Sequence, residues 1–284
     1  MPDPPVDADA FNAFEAAGWE DRVAGYDDFF GPITTRLVEP LLDAAAVAPA
    51  SRVLDVASGP GYVASVAAER QASVVGVDVS EGMVARARSL HPQLDFRQGN
   101  AEALPFEDSA FDAVVANFLM LHLGRPERAA AEFARVLGPG GRVALTVWDA
   151  PDRARFIGVL VEAVAAAGAA PPQDMPVGPP IFRFADEREF AAVLADQGLV
   201  DVSVQTIAFS HTESSADALW SGLLGGTVRV SALILRQPAE MQRRIRAAFD
   251  EIVQRYESDG GLDLPVSVKL ASAGKPPSHA PVSQ

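Results

Sequence analysis

Two aspartates and a run of glycines carry the clearest chemistry in this 284-residue chain. The segment Val53-Leu54-Asp55-Val56-Ala57-Ser58-Gly59-Pro60-Gly61 joins a β-branched apolar run to an amphipathic one. Glycines at such a junction let the backbone approach a ligand closely, with the N–H groups of a helix start behind it. Asp78 closes the next apolar run, 23 residues after Asp55. A carboxylate at that place can accept two hydrogen bonds from a ribose diol. Proton transfer has few candidates, because the only histidines are His91, His122, His211 and His279. With no cysteine in the chain, thiol nucleophiles, disulfides and cysteine metal sites are excluded. No zinc or nucleophile-elbow motif occurs and no acidic cluster has metal-ligand spacing, so no metal is expected.

Strand ends must hold these residues. From Arg52 onward, short β-branched runs alternate with amphipathic stretches. They predict strands over 52–56, 73–77, 94–97, 111–116 and 142–148, with helices from about Tyr62, from Ser80 and over 126–137. Strand–helix alternation means βαβ units and a mainly parallel sheet covered on both faces. Pro126 suits a helix start, and Gly138 a helix stop before a Pro139-Gly140-Gly141 turn. Helices are expected over 11–47, 153–167, 186–197 and most of 214–258, and strands over 200–209 and 265–271.

Two cofactors would use this arrangement. Gly59, Gly61 and Ala64 satisfy a dinucleotide fingerprint, and both a dinucleotide and S-adenosylmethionine would use Asp78. Asp55 favours the second, since a carboxylate beside the loop repels a pyrophosphate and attracts a sulfonium and an amino group. About fifty residues also precede the first strand, whereas dinucleotide folds tend to begin near their glycine loop. Further segments follow in order: Gly76-Val77-Asp78-Val79-Ser80 with Met83, Gly99-Asn100-Ala101-Glu102-Ala103-Leu104-Pro105-Phe106, Phe111-Asp112-Ala113-Val114-Val115, and Arg135-Val136-Leu137 with Pro139-Gly140-Gly141-Arg142. With Val53–Gly61 these five motifs resemble a class I S-adenosylmethionine-dependent methyltransferase of the ubiquinone/menaquinone-biosynthesis type, motif by motif over residues 19–150 and more loosely to 273.

The resemblance implies an α/β fold, Rossmann-like and doubly wound, with a mainly parallel seven-stranded sheet, an antiparallel last strand and a helical cap. It divides the chain into a helical lid (1–50), a cofactor-binding core (51–150) and cap helices with the remaining core strands of the same domain (151–273), while the Pro/Ser-rich composition of 274–284 reads as a disordered tail. It implies that Asp55, Ala57, Gly59 and Gly61 line the methionine end of the cofactor. Asp78, beside Val79, would hold the ribose, Met83 would pack on the adenine, Asn100 and Ala101 would meet the adenine edge, and Asn117 would offer a backbone contact. The product would be S-adenosylhomocysteine. Two departures stand out. Ala57 replaces the usual first glycine, a mild change if its backbone angles are ordinary. Asn100 replaces an Asp but keeps a carbonyl oxygen for the adenine amino group.

By the same resemblance Tyr26, beside Asp27, would close over the methionine end and is also a candidate catalytic residue; otherwise it anchors a helix. His122, after the fourth strand, is a candidate base near the acceptor, and His211 a weaker one. Arg229, Arg236, Arg243, Arg244 and Arg246 read as a solvated helix face or as a clamp for an acidic acceptor. Phe11, Phe14, Trp19, Phe29, Phe30, Phe156, Phe182, Phe184 and Trp220 are expected around an acceptor pocket suited to a small apolar or aromatic molecule.

Composition narrows the classes. A net charge of −15 repels phosphate backbones and anionic lipid, so a nucleic-acid partner is not expected. No stretch approaches the roughly 18 apolar residues of a membrane span, and the acidic, Pro-rich start is not a signal peptide. A cytoplasmic methyltransferase acting on a small molecule is the reading. The alternatives are a non-catalytic S-adenosylmethionine-binding module and an NAD(P)-dependent oxidoreductase. Nothing in the sequence supports or excludes a homodimer.

Overall fold

A computed structural model describes residues 6–277. The chain opens with α1 (Ala8–Glu20), α2 (Val23–Phe29), the single turn α3 (Gly31–Thr34) and α4 (Val38–Ala44). The alternating half follows: β1 (Arg52–Val56), α5 (Tyr62–Glu69), β2 (Ser73–Asp78), α6 (Glu81–Leu90), β3 (Asp95–Gln98), β4 (Phe111–Asn117), α7 (Pro126–Val136) and β5 (Leu137–Trp148). The last part holds α8 (Arg155–Ala166), α9 (Glu187–Ala195), β6 (Val200–Glu213), α10 (Ala216–Gly226), α11 (Arg229–Leu235), α12 (Ala239–Val253), β7 (Glu257–Ser258) and β8 (Gly261–Gly274).

The sheet runs β3-β2-β1-β4-β5-β8-β6. Its first five strands are parallel, and β8 lies antiparallel between β5 and β6. Successive side chains on a strand point to opposite faces, so the buried runs on β1 and β4 feed two cores. Leu54, Val56, Val114 and Ala116 pack with Phe133 of α7 and Phe190 of α9. Val53, Ala113 and Val115 pack with Leu41 and Leu42 of α4, Val63 of α5 and Val84 of α6. A third core joins Phe30, Trp148 and Phe156 to Leu219, Phe249 and Val266 from α10, α12 and β8.

The expected seven strands form the main path, and the structure adds an eighth. The two-residue β7 makes a short hairpin with β8, ending a 214–258 region that is otherwise three helices and a 3₁₀ turn. Residues 137–141 differ from the expected helix end and turn. The helix stops at Val136, Leu137 already pairs with Phe111, and the glycine-rich stretch bulges out of β5 before Arg142 pairs with Ala113. Lys275 closes this bulge through backbone bonds with Gly140 and Gly141, both 2.9 Å. Its Nζ donates to Ala134 O at 2.7 Å and Leu137 O at 2.6 Å. Order therefore extends past the expected tail boundary at 274, because Gly274 still pairs with Arg142 and Val200. The rest of the expected tail, with His279, lies outside the described residues from 278 on.

Among the described residues no single helix is long and apolar enough to cross a membrane. The bent pair α10–α11 has the length and composition for it only when the two helices are taken together, and its apolar residues Leu219, Leu223, Val230 and Ile234 are buried against the rest of the molecule.

Candidate active site

The chain leaves β1 toward β2 and β3 and then returns to lay β4 on the other side of β1. That reversal opens a crevice at the carboxyl ends of β1 and β4, the usual ligand position in such sheets. A cavity of about 360 Å³ fills it. One part of its wall comes from the strand ends: Ala57, Gly59, Asp78, Val79, Met83, Asn100 and Ala101. Much of the rest comes from α1 to α3, the segment after β4, the end of β5, and α11 with the residues just before it, including Trp19, Tyr26, Phe30, Phe118, Trp148 and Arg229.

The loop after β1 is built on left-handed backbone. Ala57 has φ +57°, Gly59 +50° and Gly61 +89°. Ala57 is thus not in an ordinary conformation: it keeps the glycine-like angles without glycine, at a cost of about 1 kcal/mol. Gly61 and Asp55 do not reach the cavity wall. Gly61 caps α5, and a Cβ there would stand 2.7 Å from Phe96 Cζ, so its glycine serves packing. Asp55 is buried behind the loop, where Oδ2 accepts the Ala64 N–H of α5 at 3.1 Å. Its Oδ1 and the nearby Ser58 Oγ are buried without partners. Burial pushes the Asp55 carboxyl up to about 7, with the charge of Asp78 adding to the rise and the Ala64 bond opposing it.

Asp78 does face the cavity. Its Oδ2 accepts Gly59 N–H and its Oδ1 accepts Ser80 N–H, both at 2.9 Å. Burial holds its carboxyl above the usual range, and these backbone bonds counter the shift. Glu20 of α1 also raises it. That residue caps α6, accepting Glu81 N–H at 2.6 Å and Gly82 N–H at 3.0 Å. Ser80 caps the same helix through Met83 N at 3.1 Å, which presents Met83 to the cavity. Asn100 Oδ1 accepts Glu102 N–H at 2.8 Å, so one lone pair of the expected adenine acceptor is already used. The Asn117 side chain is engaged on both sides: Nδ2 donates to Thr34 O at 3.1 Å, and Oδ1 accepts from Thr146 Oγ1 at 2.6 Å.

Tyr26 lies over the loop, its ring edge 3.9 Å from where a Gly59 Cβ would stand. It stacks on Phe30 and meets Trp19 edge-on. Burial pushes its hydroxyl up to about 12, so it stays protonated and is no base near neutral pH. Its neighbour Asp27 accepts a hydrogen bond from Tyr62 Oη and pairs with Arg86 at 2.6 Å, fixing α2 to α5 and α6.

His122 lies in the cavity wall, with Nδ1 2.9 Å from Glu15 Oε2. The weaker candidate base, His211, and His91 lie elsewhere. His211 pairs with Glu213 at 3.0 Å on β6, and His91 abuts Phe96. Of the five arginines only Arg229 enters the cavity wall. Arg236, Arg243 and Arg246 pair with surface carboxylates and Arg244 with Ala167 O. Of the nine expected aromatics only Trp19 and Phe30 line the cavity, since Phe11, Phe156 and Phe184 are core. Phe118 and Trp148, not expected there, take their place with ring centroids 4.3 Å apart. Phe118 has φ +60°, a strained turn of the kind that clusters at functional sites.

This geometry suits a cationic cofactor. Asp78 in the wall, with Glu20 nearby, would repel a pyrophosphate and attract a sulfonium or ammonium. Comparison with known proteins agrees. Over 182 residues the chain is 33% identical to a demethylmenaquinone methyltransferase of Renibacterium salmoninarum, covering 61% of this chain and 77% of that one. The chain belongs to the class I S-adenosylmethionine-dependent methyltransferases of the ubiquinone/menaquinone-biosynthesis type. A methyltransferase-domain family matches residues 54–145. The namesake of Beutenbergia cavernae is 35% identical over 147 residues, 50% of this methyltransferase and 61% of that protein. The fold is shared with the YcgJ protein of Bacillus subtilis (TM-score 0.58, 22% identity, 85% of this chain and 98% of that one). It is also shared with a Haemonchus contortus N-methyltransferase solved with phosphomonomethylethanolamine and S-adenosylhomocysteine (TM-score 0.51, 18% identity, 85% of this chain and 52% of that one). The cofactor of this methyltransferase is S-adenosylmethionine.

Proposed function

We propose that this methyltransferase methylates a small aromatic acceptor of the quinone or phenol class, held between the strand ends and the helical cover. The observation that carries the reading is the continuity of one cavity, from the loop and carboxylate of a cofactor site to a wall of Trp19, Phe30, Phe118 and Trp148. Flat apolar walls with few polar groups favour a ring compound, and relatives named for demethylmenaquinone point the same way.

S-adenosylmethionine supplies a methyl on a positively charged sulfur whose departure leaves a neutral thioether, so no acid is required. The chain's own part is to bind, orient and exclude water. Asp78 keeps a free lone pair on each oxygen for the ribose hydroxyls, Met83 packs on the adenine, and Asn100 and Ala101 meet its edge. Ala57 and Gly59 leave room for the methionine end, with a backbone contribution from Asn117, whose side chain is occupied. Tyr26 closes over that end. Residues 1–50 act as a lid fastened by Glu20 and Asp27, residues 51–150 hold the cofactor, and residues 151–273 complete the acceptor wall. Alignment of acceptor and methyl in such a site can lower the barrier by about 7–11 kcal/mol, helped by water exclusion.

The test is product profiling by mass spectrometry with S-adenosylmethionine and panels of phenols and quinols, small amines, peptides and RNA. Methylated ring compounds with matching S-adenosylhomocysteine release support the reading. Methylation confined to peptides or RNA overturns it.

A further inference from the structure

Glu15 has no role in binding the cofactor, yet it is one of the few charged groups buried in the molecule, at 3% exposure. It sits on α1, its Oε2 2.9 Å from His122 Nδ1, and its Oε1 is buried with no partner. Both residues line the cavity. A carboxylate accepts hydrogen bonds and does not donate them, so with Glu15 ionised and the imidazole neutral the ring proton would sit on Nδ1 and Nε2 would carry the lone pair. Nε2 has no hydrogen-bond partner among the described residues, and it is not among the buried unpartnered atoms. The edge of Trp19, with centroids 5.1 Å apart, holds the ring in place. Arg229 lines the same cavity and spends its hydrogen bonds on the carbonyls of Pro179 and Gly178. Arg229 is half-buried, has no carboxylate bonded to it, and faces the charge of Glu15 across the cavity; a guanidinium so placed favours an anionic oxygen nearby.

We propose that Glu15 and His122 form a general-base dyad that takes the proton of a ring hydroxyl, so the acceptor is a phenol or hydroquinone. The inference rests on the methyltransferase reading and adds the acceptor's reactive group. In the step, the O–H bond breaks, the proton forms an N–H bond at Nε2, and the electron pair stays on oxygen as the nucleophile. Glu15 steadies the imidazolium that results, and Arg229 offsets the phenolate charge. Glu15 is a positioning residue; His122 is the catalytic one.

Two phenols of similar size separate a base from a wall residue. At mildly alkaline pH 4-nitrophenol arrives as phenolate, whereas 4-methylphenol keeps its proton. His122→Gln is expected to lower kcat for 4-methylphenol by roughly 10²-fold or more and to leave 4-nitrophenol within a few-fold of wild type. Glu15→Gln should show the same selectivity to a smaller degree. Equal losses on both phenols, or no loss on 4-methylphenol, overturn the proposal, as does a wild-type enzyme that methylates amines or carbon acids of this size but neither phenol. S-adenosylhomocysteine binding by calorimetry should be unchanged in both variants. If binding and turnover are both absent in wild type, the methyltransferase reading fails first. Nitrogen-15 NMR of the wild-type histidine ring decides independently of turnover or variant folding. A bare Nε2 with a proton on Nδ1 supports the dyad, and a proton resting on Nε2 overturns it.

Discussion

Asp78 reaches across from the end of β2 to accept the Gly59 N–H at 2.9 Å, so the carboxylate expected to hold the ribose also holds the loop that faces the cofactor. The second strand thereby sets the shape of the turn after the first.

Asp78→Ala should weaken S-adenosylhomocysteine binding roughly ten- to hundred-fold, since hydrogen bonds to a charged group are worth about 1.5–3 kcal/mol. It should also lower thermal stability, because Gly59 and Ser80 lose their acceptor. Calorimetric titration with S-adenosylhomocysteine measures the first effect. Near wild-type affinity would mean that the ribose is held elsewhere.

The stability of the ligand-free protein should depend on Asp55. Unfolded, this carboxyl titrates near ~3.9; folded, burial raises it to about 7. The folded state therefore binds the proton more tightly, and stability falls as pH rises from about 4 to about 7, then levels off. The penalty is on the order of 4 kcal/mol at most. Asp55→Asn carries no charge at any pH. Its stability relative to wild type should rise across that interval, as read from denaturant midpoints. A constant difference would show that folding leaves the Asp55 pKa unshifted.

The two ends of the loop should respond oppositely to a methyl group. Ala57→Gly relieves left-handed strain of about 1 kcal/mol but frees the unfolded chain by about 0.4–1 kcal/mol, so stability should change by less than about 1 kcal/mol. Gly61→Ala combines left-handed backbone with a clash on Phe96 and should cost about 2–4 kcal/mol. Urea unfolding compares them, and similar costs at both positions would contradict the packing described for Gly61.

Glu20→Ala removes the side-chain cap that ties α1 to α6. A cap is worth about 1 kcal/mol, and here the loss falls on the contact between two elements. Hydrogen exchange across residues 8–20 should speed up while the core strands keep their protection. Unchanged exchange in α1 would mean that Asn12, which donates to Glu102 Oε1 at 2.8 Å and accepts Gly124 N–H at 2.7 Å, holds the helix without the Glu20 cap.

The core strands were legible because β-branched runs mark them, and β1 is predicted to the residue. The strand-end motifs were legible because local spacing carries them. What escaped depends on contacts between distant residues. Glu15 meets His122 across 107 positions, and nothing around either residue announces the other. The aromatics show a different limit. Periodicity says that Phe156 faces inward, not whether inward means core or cavity. Ala57 looked harmless because an alanine in sequence carries no sign of its φ.

The place of β8 in the sheet has a consequence for biogenesis. It fills the gap between β5 and β6 over 14 residues and is made after both. A nascent chain can assemble every strand end of the cofactor crevice before β8 exists, while β5 and β6 present bare edges open to wrong pairing. Translation stopped before Gly261 would yield a chain with its binding motifs intact and a sheet open to aggregation, so recognition and solubility in this protein are written in different parts of the message.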